Sequence, residues 1–133
     1  MLLSKGATIA VADGEKFKLF HNVGDEAGLK LEPVAHEAID TLASASGGHQ
    51  SSSGNPDSGQ AGEDGFSAGS VQFLNQQVLG GSIEALVIIA APRALGEMRK
   101  HYHKALSAVL KGEIAKDLTG HALADIEGAI AAA

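Results

Sequence analysis

The stretch SIEALVIIAAP, at positions 82–92, constrains the fold of this 133-residue chain more than any other. From Ala85 to Ala91 every side chain is apolar, so a strand here would be buried on both faces. Strands of that kind are typical of the centre of a parallel sheet with helices on each side. Pro92 follows at a position where proline favours the first turn of a helix. The stretch therefore predicts an α/β protein in which 82–92 is a central strand and a helix begins at Pro92.

Weaker patterns on either side predict the rest of a mixed sheet. Two apolar stretches flank the turn dipeptide Asp13-Gly14, which is typical of an antiparallel hairpin. A third strand is expected at a sheet edge, because Pro33 lacks the N–H group that strand pairing requires. The predicted strands are 7–14, 15–23, 29–39, 82–92 and 110–118, and the predicted helices are 66–81 (ended by Gly80-Gly81), a segment from Pro92 that breaks near His103, and a C-terminal segment capped by Thr119. The order β-β-β-α-β-α-β-α predicts a single α/β domain over residues 1–133, with a five-stranded mixed sheet and helices on its faces.

A polar stretch, SASGGHQSSSGNPDSGQAGEDG at 44–65, separates the third predicted strand from the first predicted helix. A linker between two domains is disfavoured, because the residues before it are too few to bury a core of their own. Loops of this length are usually functional or disordered, and a Gly/Ser-rich composition favours disorder. We therefore expect a flexible loop within one domain. Such a loop can be both disordered and functional if it becomes ordered only when it binds a partner.

Composition narrows the class of protein. The net charge of −6 disfavours binding of nucleic acid through bulk charge alone. The chain has no cysteine, which excludes disulfides and thiolate metal sites. The first residues do not form a signal peptide, and the longest apolar run is too short to span a membrane. These features predict a soluble cytoplasmic protein with no membrane partner and no cofactor.

Positive charge is concentrated in residues 93–111, and Arg93 comes directly after the central strand and Pro92. Ligands of open α/β sheets gather at such strand ends, and a guanidinium suits phosphate or carboxylate. We predict a basic binding site made of Arg93, Arg99, Lys100, Lys104, Lys116 and Asp117. Two alternatives stay open: an ordinary solvated helix face, and a structural ion pair between Arg93 and Asp117.

Catalytic and metal-binding motifs are weak. His101 and His103 are two residues apart, so they do not share a helix face as zinc-binding histidines normally do. Asp13 and Asp117 each lie at the end of a predicted strand, but a two-metal nuclease needs several converging carboxylates. The sequence has no P-loop, no GxGxxG and no GxSxG following a strand. We therefore assign no catalytic residue and no metal ligand.

Three stretches carry a resemblance to known proteins: VADGEKFKLF at 11–20, VIIAAPRALGEMRKHYHKAL at 87–106 and GEIAKDLTGHALADIEGAI at 112–130. With the spacing between them, they resemble the middle domain of eukaryotic-type peptide-chain release factors and its bacterial relatives. The resemblance is closer still to the bacterial family of proteins required for attachment to host cells. It implies an RNase H-like fold for almost the whole chain.

The resemblance also gives the polar stretch 44–65 a possible role. Release factors of that type carry a Gly-Gly-Gln loop at this place, which promotes hydrolysis of peptidyl-tRNA on the ribosome. This chain has Gly47-Gly48-His49-Gln50 and Ser58-Gly59-Gln60, and neither is the tripeptide. The stretch has no Lys or Arg and carries three acidic residues, which would repel RNA phosphate. Its candidate functional residues are Gly47, Gly48, Gln50 and Gln60.

The resemblance implies a protein of the host attachment family that binds a macromolecule without catalysis. The partner expected is the ribosome, RNA or another protein. Two other functions stay open at this point. A degenerate peptidyl-tRNA hydrolase or translation-rescue factor would depend on Gln50 or Gln60, and a metal-dependent nuclease would depend on Asp13.

Overall fold

The computed structural model describes residues 1–41 and 58–133, with the backbone alone for 58–60. The strands are β1 (Thr8–Ala12), β2 (Phe17–Asn22), β3 (Leu31–Pro33), β4 (Leu86–Ala90) and β5 (Leu110–Ala115), and the helices are α1 (Ser58–Leu79), α2 (Pro92–Met98), α3 (Lys104–Val109) and α4 (Leu123–Ala132). A 3₁₀ turn, Arg99–His101, follows α2 directly. The strands form one five-stranded sheet in the order β3-β2-β1-β4-β5. The predicted α/β class, with a mixed sheet and helices on its faces, is confirmed.

β1 is the central strand of the sheet. It pairs antiparallel with β2, so that Ala10 lies opposite Leu19, and parallel with β4, so that Ala10 lies opposite Ile88. β4 in turn pairs parallel with β5, and β2 pairs antiparallel with the short edge strand β3. The parallel pairs place the carboxyl ends of β1, β4 and β5 at one edge of the sheet, which we call the carboxyl edge.

The predicted Asp13-Gly14 hairpin is present, and its turn is fixed by the Asp13 side chain. Asp13 Oδ1 accepts hydrogen bonds from the backbone N–H groups of Glu15, at 2.9 Å, and Lys16, at 2.7 Å. Gly14 has a φ of +95°, a conformation that L side chains rarely adopt. The turn therefore requires both an acceptor at position 13 and a glycine at position 14.

Helices cover both faces of the sheet, and this explains why β1 and β4 are apolar throughout. On one face, Ala10, Leu86 and Ile88 pack with Val71 and Leu74 of α1 and with Leu95 of α2. On the other face, Ile9, Val87 and Ile89 pack with Ile126 and Ile130 of α4. Alternate residues of each strand thus belong to two separate cores.

Several predicted boundaries were wrong. The third strand has three residues instead of eleven: it pairs with β2 from Leu31 to Pro33, and only one further bond, from the Val34 N–H to the Leu19 carbonyl, follows. The first helix begins at Ser58 instead of residue 66, so 58–65 is not loop. The fourth helix begins at Leu123 with Ala122 as its N-cap residue, so Thr119 does not cap it. The predicted end at Gly80-Gly81 and the break near His103 are confirmed.

The early start of α1 has a physical reason that periodicity does not reveal. Its buried residues from 65 to 70 are mostly small: glycine, serine and alanine. At Gly69 an added Cβ would overlap the carbonyl oxygen of Asp40, so the chain around Asp40 lies directly on the helix backbone. Close backbone packing replaces the apolar stripe that normally marks a buried helix face. No helix in the described part of the chain is long and apolar enough to cross a membrane.

Candidate functional site at the carboxyl edge of the sheet

The carboxyl edge brings together residues that are far apart in sequence. Asp13 follows β1, Arg93 follows β4 by two residues, and Lys116 and Asp117 follow β5. Since these three strands are parallel neighbours, the residues after them lie along one edge. Of the residues in the predicted basic site, the fold therefore places Arg93, Lys116 and Asp117 on one edge. Asp13, which was not part of that predicted site, lies on the same edge.

A threonine hydroxyl joins the two carboxylates of this edge. Thr119 Oγ1 lies 2.7 Å from Asp13 Oδ2 and 3.0 Å from Asp117 Oδ1. A hydroxyl has a single proton, so it donates to one carboxylate at a time, and the shorter distance favours Asp13. Thr119 is 3% exposed, which shields this contact from water. The hydroxyl thereby links β1 to the segment after β5 across the end of β4.

The hydrogen bonds to Asp13 determine its protonation. Partial burial raises the pKa of Asp13, but hydrogen bonds from the Glu15 N–H, the Thr119 hydroxyl and the Lys16 N–H lower it more. The net result is a pKa below the usual value, so this carboxylate is ionised at neutral pH. A charged acceptor of this kind strengthens each hydrogen bond that it receives.

Replacing Thr119 with valine should destabilise the protein by about 1–2 kcal/mol at neutral pH, because a charged, partly buried acceptor loses its hydroxyl donor. The pKa of Asp13 should rise in the variant. A depressed carboxyl pKa stabilises the fold above the unfolded-state pKa, and this contribution is lost as pH falls through the folded-state pKa. The stability difference between wild type and variant should therefore shrink below about pH 4. Urea unfolding across pH measures it.

Thr119→Ser is the matched control for this prediction. It keeps the hydroxyl and removes only a methyl group, so it should retain most of the pH-dependent contribution. A Thr119→Val variant whose deficit is the same at neutral and acid pH would show that the hydroxyl does not act through Asp13.

Arg93 and Lys116 are exposed, and they follow β4 and β5 at the carboxyl edge. Among the ion pairs of the described residues, neither side chain takes part, and Arg93 does not pair with Asp117. The structural ion pair considered as an alternative is therefore not formed. Both cations are accessible to a ligand from solution.

Arg99 and Lys100 are exposed, but each contacts a carboxylate of the chain. Arg99 Nε and Nη2 both donate to Glu113 Oε1, at 3.0 and 2.8 Å. Lys100 Nζ donates to Glu97 Oε1 at 3.1 Å. Two of the five basic residues in the predicted cluster are thus paired within the protein, and Arg93, Lys104 and Lys116 are the other three.

Lys104 lies at the opposite end of the sheet. α2 and the 3₁₀ turn together advance by about 16 Å, similar to the length of a five-residue strand. They run from the end of β4 back toward the start of β5, so Lys104, the first residue of α3, lies near the amino edge. The predicted cluster is therefore spread along the domain, and Arg93 and Lys116 are its only basic members at the carboxyl edge with no ion pair in the described chain.

Glu113 also accepts a hydrogen bond from the Tyr102 hydroxyl, with 2.6 Å between Tyr102 Oη and Glu113 Oε2. Burial raises the pKa of Glu113, and the hydrogen bonds from Arg99 and Tyr102 lower it below its usual value. Burial and the bond to Glu113 raise the pKa of Tyr102, so its hydroxyl remains a donor. The Arg99–Glu113–Tyr102 group fixes the 3₁₀ turn against β5 and is structural in character.

Three histidines of the described segments make contacts within the chain and are not grouped around a possible metal ion. His101 Nε2 lies 2.9 Å from Glu97 Oε2, while His103 Nδ1 accepts the Ala105 N–H and caps α3. His121 lies 3.5 Å from Asp125. Within the described residues no group of three His, Cys, Asp or Glu side chains is arranged to hold a metal ion.

The start of α1 also reaches the carboxyl edge. The Glu63 side chain lies against Gly14, with its Cβ 3.4 Å from where a Cβ on that glycine would be. The backbone of Ser58-Gly59-Gln60, one of the two sequences compared with the release-factor tripeptide, forms the first turn of this helix. The other candidates, Gly47, Gly48 and Gln50, lie outside the described residues.

Sequence reasoning missed two residues that organise this region. Thr119 was taken for a helix cap, although its position two residues after Asp117 would have suited a hydroxyl bridge. Asn75 was not singled out within the predicted helix, but its amide donates to the His101 carbonyl at 3.1 Å and its Oδ1 accepts the His103 N–H at 3.1 Å. An asparagine inside a mostly apolar buried helix face was the available signal.

Comparison with known families agrees with this architecture. A family model described as bacterial archaeo-eukaryotic release factor family 12 matches residues 6–130, which include all five strands. The chain therefore belongs to this release-factor-related family, and the relation to release factors predicted from the sequence is confirmed. At this coarse level it is a translation-related binding module. A search of curated proteins gives no match.

Proposed function

We propose that this protein is a non-enzymatic module that binds the ribosome through the carboxyl edge of its sheet and the start of α1. The family match over residues 6–130 carries the proposal, because it covers the sheet and the segments that form this edge. Release factors act at the ribosome, so we infer the partner from the family resemblance. We infer the contact residues from the carboxyl edge.

One feature of the edge supports ribosome binding. Arg93 and Lys116 present exposed cations with no ion pair in the described chain, and both suit the phosphates of ribosomal RNA. Specificity would then come from the shape of the edge rather than from net charge, which is negative.

Co-sedimentation with purified ribosomes across a salt series tests this proposal. Arg93→Ala/Lys116→Ala should weaken binding by at least about tenfold and reduce its salt dependence, because two charge-assisted contacts are removed. Lys5→Ala/Lys30→Ala is the matched control. It removes the same charge from exposed residues before β1 and before β3, at the amino edge.

Equal loss of binding in both double variants would mean that charge alone drives association and would contradict a specific carboxyl-edge site. Absence of wild-type co-sedimentation at low salt would contradict ribosome binding altogether.

Peptidyl-tRNA hydrolysis is the second candidate function. It is favoured by one observation, the location of Gly59-Gln60 in the first turn of α1 at the same edge. A peptide-release assay on ribosomes loaded with peptidyl-tRNA should show release by wild type and loss in Gln60→Ala if this candidate is correct. Binding without release would favour the non-enzymatic module.

The narrower resemblance, to proteins required for attachment to host cells, stays a prediction, as do the cytoplasmic location and a protein partner. A nuclease that uses Asp13 also stays a prediction. In the described chain, Asp13 approaches Asp117 through Thr119 without a third carboxylate in a metal-binding arrangement.

A further inference from the structure

A cavity of about 400 Å³ lies between the outer side of β2, the chain after β3 and the start of α4. Its size falls within the range of small-molecule sites. We propose that this cavity binds a small amphipathic anion, with an apolar ring or short alkyl body and one carboxylate, sulfonate or phosphate group. The proposal concerns a site separate from Arg93 and Lys116 and does not depend on ribosome binding.

The cavity exists because β3 is short. β3 pairs with β2 only from Phe20 to Asn22, and one further hydrogen bond joins the Val34 N–H to the Leu19 carbonyl. No regular pairing follows this bond, so the first half of β2 has no complete neighbouring strand. α4 begins at Leu123 and packs over Phe20, which leaves a gap between helix and strand. Backbone geometry, rather than the rotamer of one side chain, forms the site.

The body of the cavity is apolar. Phe20 of β2, Val34 after β3, and Leu123 and Ile126 of α4 line it. Phe20 and Ile126 are almost fully buried and belong to the same core, so these walls are held in place by packing. An apolar ligand body would remove further apolar surface from water here.

One wall is fixed by His36. Its Nδ1 lies 2.7 Å from the Glu37 carbonyl oxygen and its Nε2 lies 3.2 Å from the Phe17 carbonyl oxygen. The ring also contacts Phe17 and Phe73 edge-on or tilted, with centroids 5.1 and 5.8 Å away. His36 thus occupies the place of a missing strand partner and keeps the cavity open.

The polar groups of the lining favour an anion. Lys18, His36 and His121 are basic, and the described residues that line the cavity include no carboxylate. His121 has Asp125 as a neighbour at 3.5 Å, whereas Lys18 makes no ion pair within the described chain. Lys18 follows Phe17 on the strand and faces the α4 side with Phe20. Its ammonium is therefore the group that would pair with the ligand charge.

The test uses 1-anilinonaphthalene-8-sulfonate, which has an aromatic body and one sulfonate, followed by fluorescence and by amide chemical shifts in two-dimensional NMR. We expect saturable binding at one site, with the largest shift changes at Lys18, Val34 and Leu123. Lys18→Gln should weaken binding by about two- to fivefold, as expected for one exposed charge pair. Lys5→Gln, an exposed lysine outside the lining, should leave it unchanged.

N-phenyl-1-naphthylamine, which has the same rings without the sulfonate, separates charge from apolar contact. Its affinity should be the same for wild type and Lys18→Gln. Leu123→Trp should fill the cavity and weaken both probes by at least about tenfold, and a dispersed NMR spectrum will confirm that this variant is folded. Shift changes centred elsewhere, or sulfonate binding unaffected by Lys18→Gln, would overturn the proposal.

Discussion

Asn75→Ala is expected to lower the free energy of unfolding by about 2–4 kcal/mol, the largest effect that we predict for a single polar side chain. Asn75 is 8% exposed and bonds both the His101 carbonyl and the His103 N–H. Alanine would leave both backbone groups without their partner in a partly buried position, where each unpaired group costs about 1–3 kcal/mol. Urea unfolding followed by circular dichroism measures the change.

Gln76→Ala is the control, because it truncates an exposed amide one position further along the same helix. It should change stability by less than about 0.5 kcal/mol. Amide hydrogen exchange gives a second readout: protection at His103 should fall in Asn75→Ala and stay unchanged in Gln76→Ala. Similar stabilities for the two variants would show that Asn75 does not hold the break between the 3₁₀ turn and α3.

Gly69→Ala is expected to destabilise the protein by about 1–3 kcal/mol, as overpacking of a tight contact usually does. The added methyl group would overlap the Asp40 carbonyl oxygen and approach the Ile39 side chain. The main chain around Asp40 would have to move away from α1. Thermal unfolding measures the loss, and NMR shift changes should concentrate at residues 37–41.

Gly62→Ala isolates the packing effect, since it makes the same substitution in the same helix, and among the described residues no atom beyond the helix's own backbone lies within 4 Å of the new methyl group. Alanine has the higher helix propensity, so this variant should gain about 0.5–1 kcal/mol. The two variants should therefore change stability in opposite directions. Stabilisation by Gly69→Ala would contradict the close approach of the chain at Asp40 to the helix.

The strands of this protein could be predicted because their signals are local. An apolar run at 82–92 and an Asp-Gly turn each specify a strand arrangement without knowledge of distant residues. The mixed sheet follows from their order along the chain. The boundaries of the elements were harder to predict. The length of β3 depends on where the chain turns after Pro33, and the first part of α1 is buried through small residues that show no apolar periodicity.

The candidate site was only partly predictable for a similar reason. Arg93 was found because it follows a predicted strand, and Lys116 and Asp117 because they lie near the end of the neighbouring predicted strand; parallel neighbours end at the same edge. The compensation of Arg99 by Glu113 depends on how the 3₁₀ turn packs on β5, 14 residues further along the chain. The Thr119 bridge joins positions 106 residues apart. Contacts over such separations are set by the tertiary fold, so a single sequence does not reveal them.

The basic residues of this small domain fall into two groups, those that pair with carboxylates of the chain and those that do not. Arg99 and Lys100 bond to carboxylates of their own chain and hold the segment after α2 in place. Arg93 and Lys116 have no such partner within the described residues, and they follow the ends of β4 and β5 at the carboxyl edge. In the proposed function, the edge that recognises the ribosome and the structural ion pairs involve different residues of this release-factor-related domain.

Site-specific photo-crosslinking tests the proposed ribosome-binding edge most directly. A photoreactive amino acid in place of Ala115, an exposed residue beside Lys116, would probe the carboxyl edge and keep both cations, and the same group in place of Lys30 would probe the amino edge. Our account predicts ribosome crosslinks from position 115 that unlabelled wild-type protein competes away, and few from position 30. Equal crosslinking from both positions, or crosslinks from position 30 alone, would contradict it.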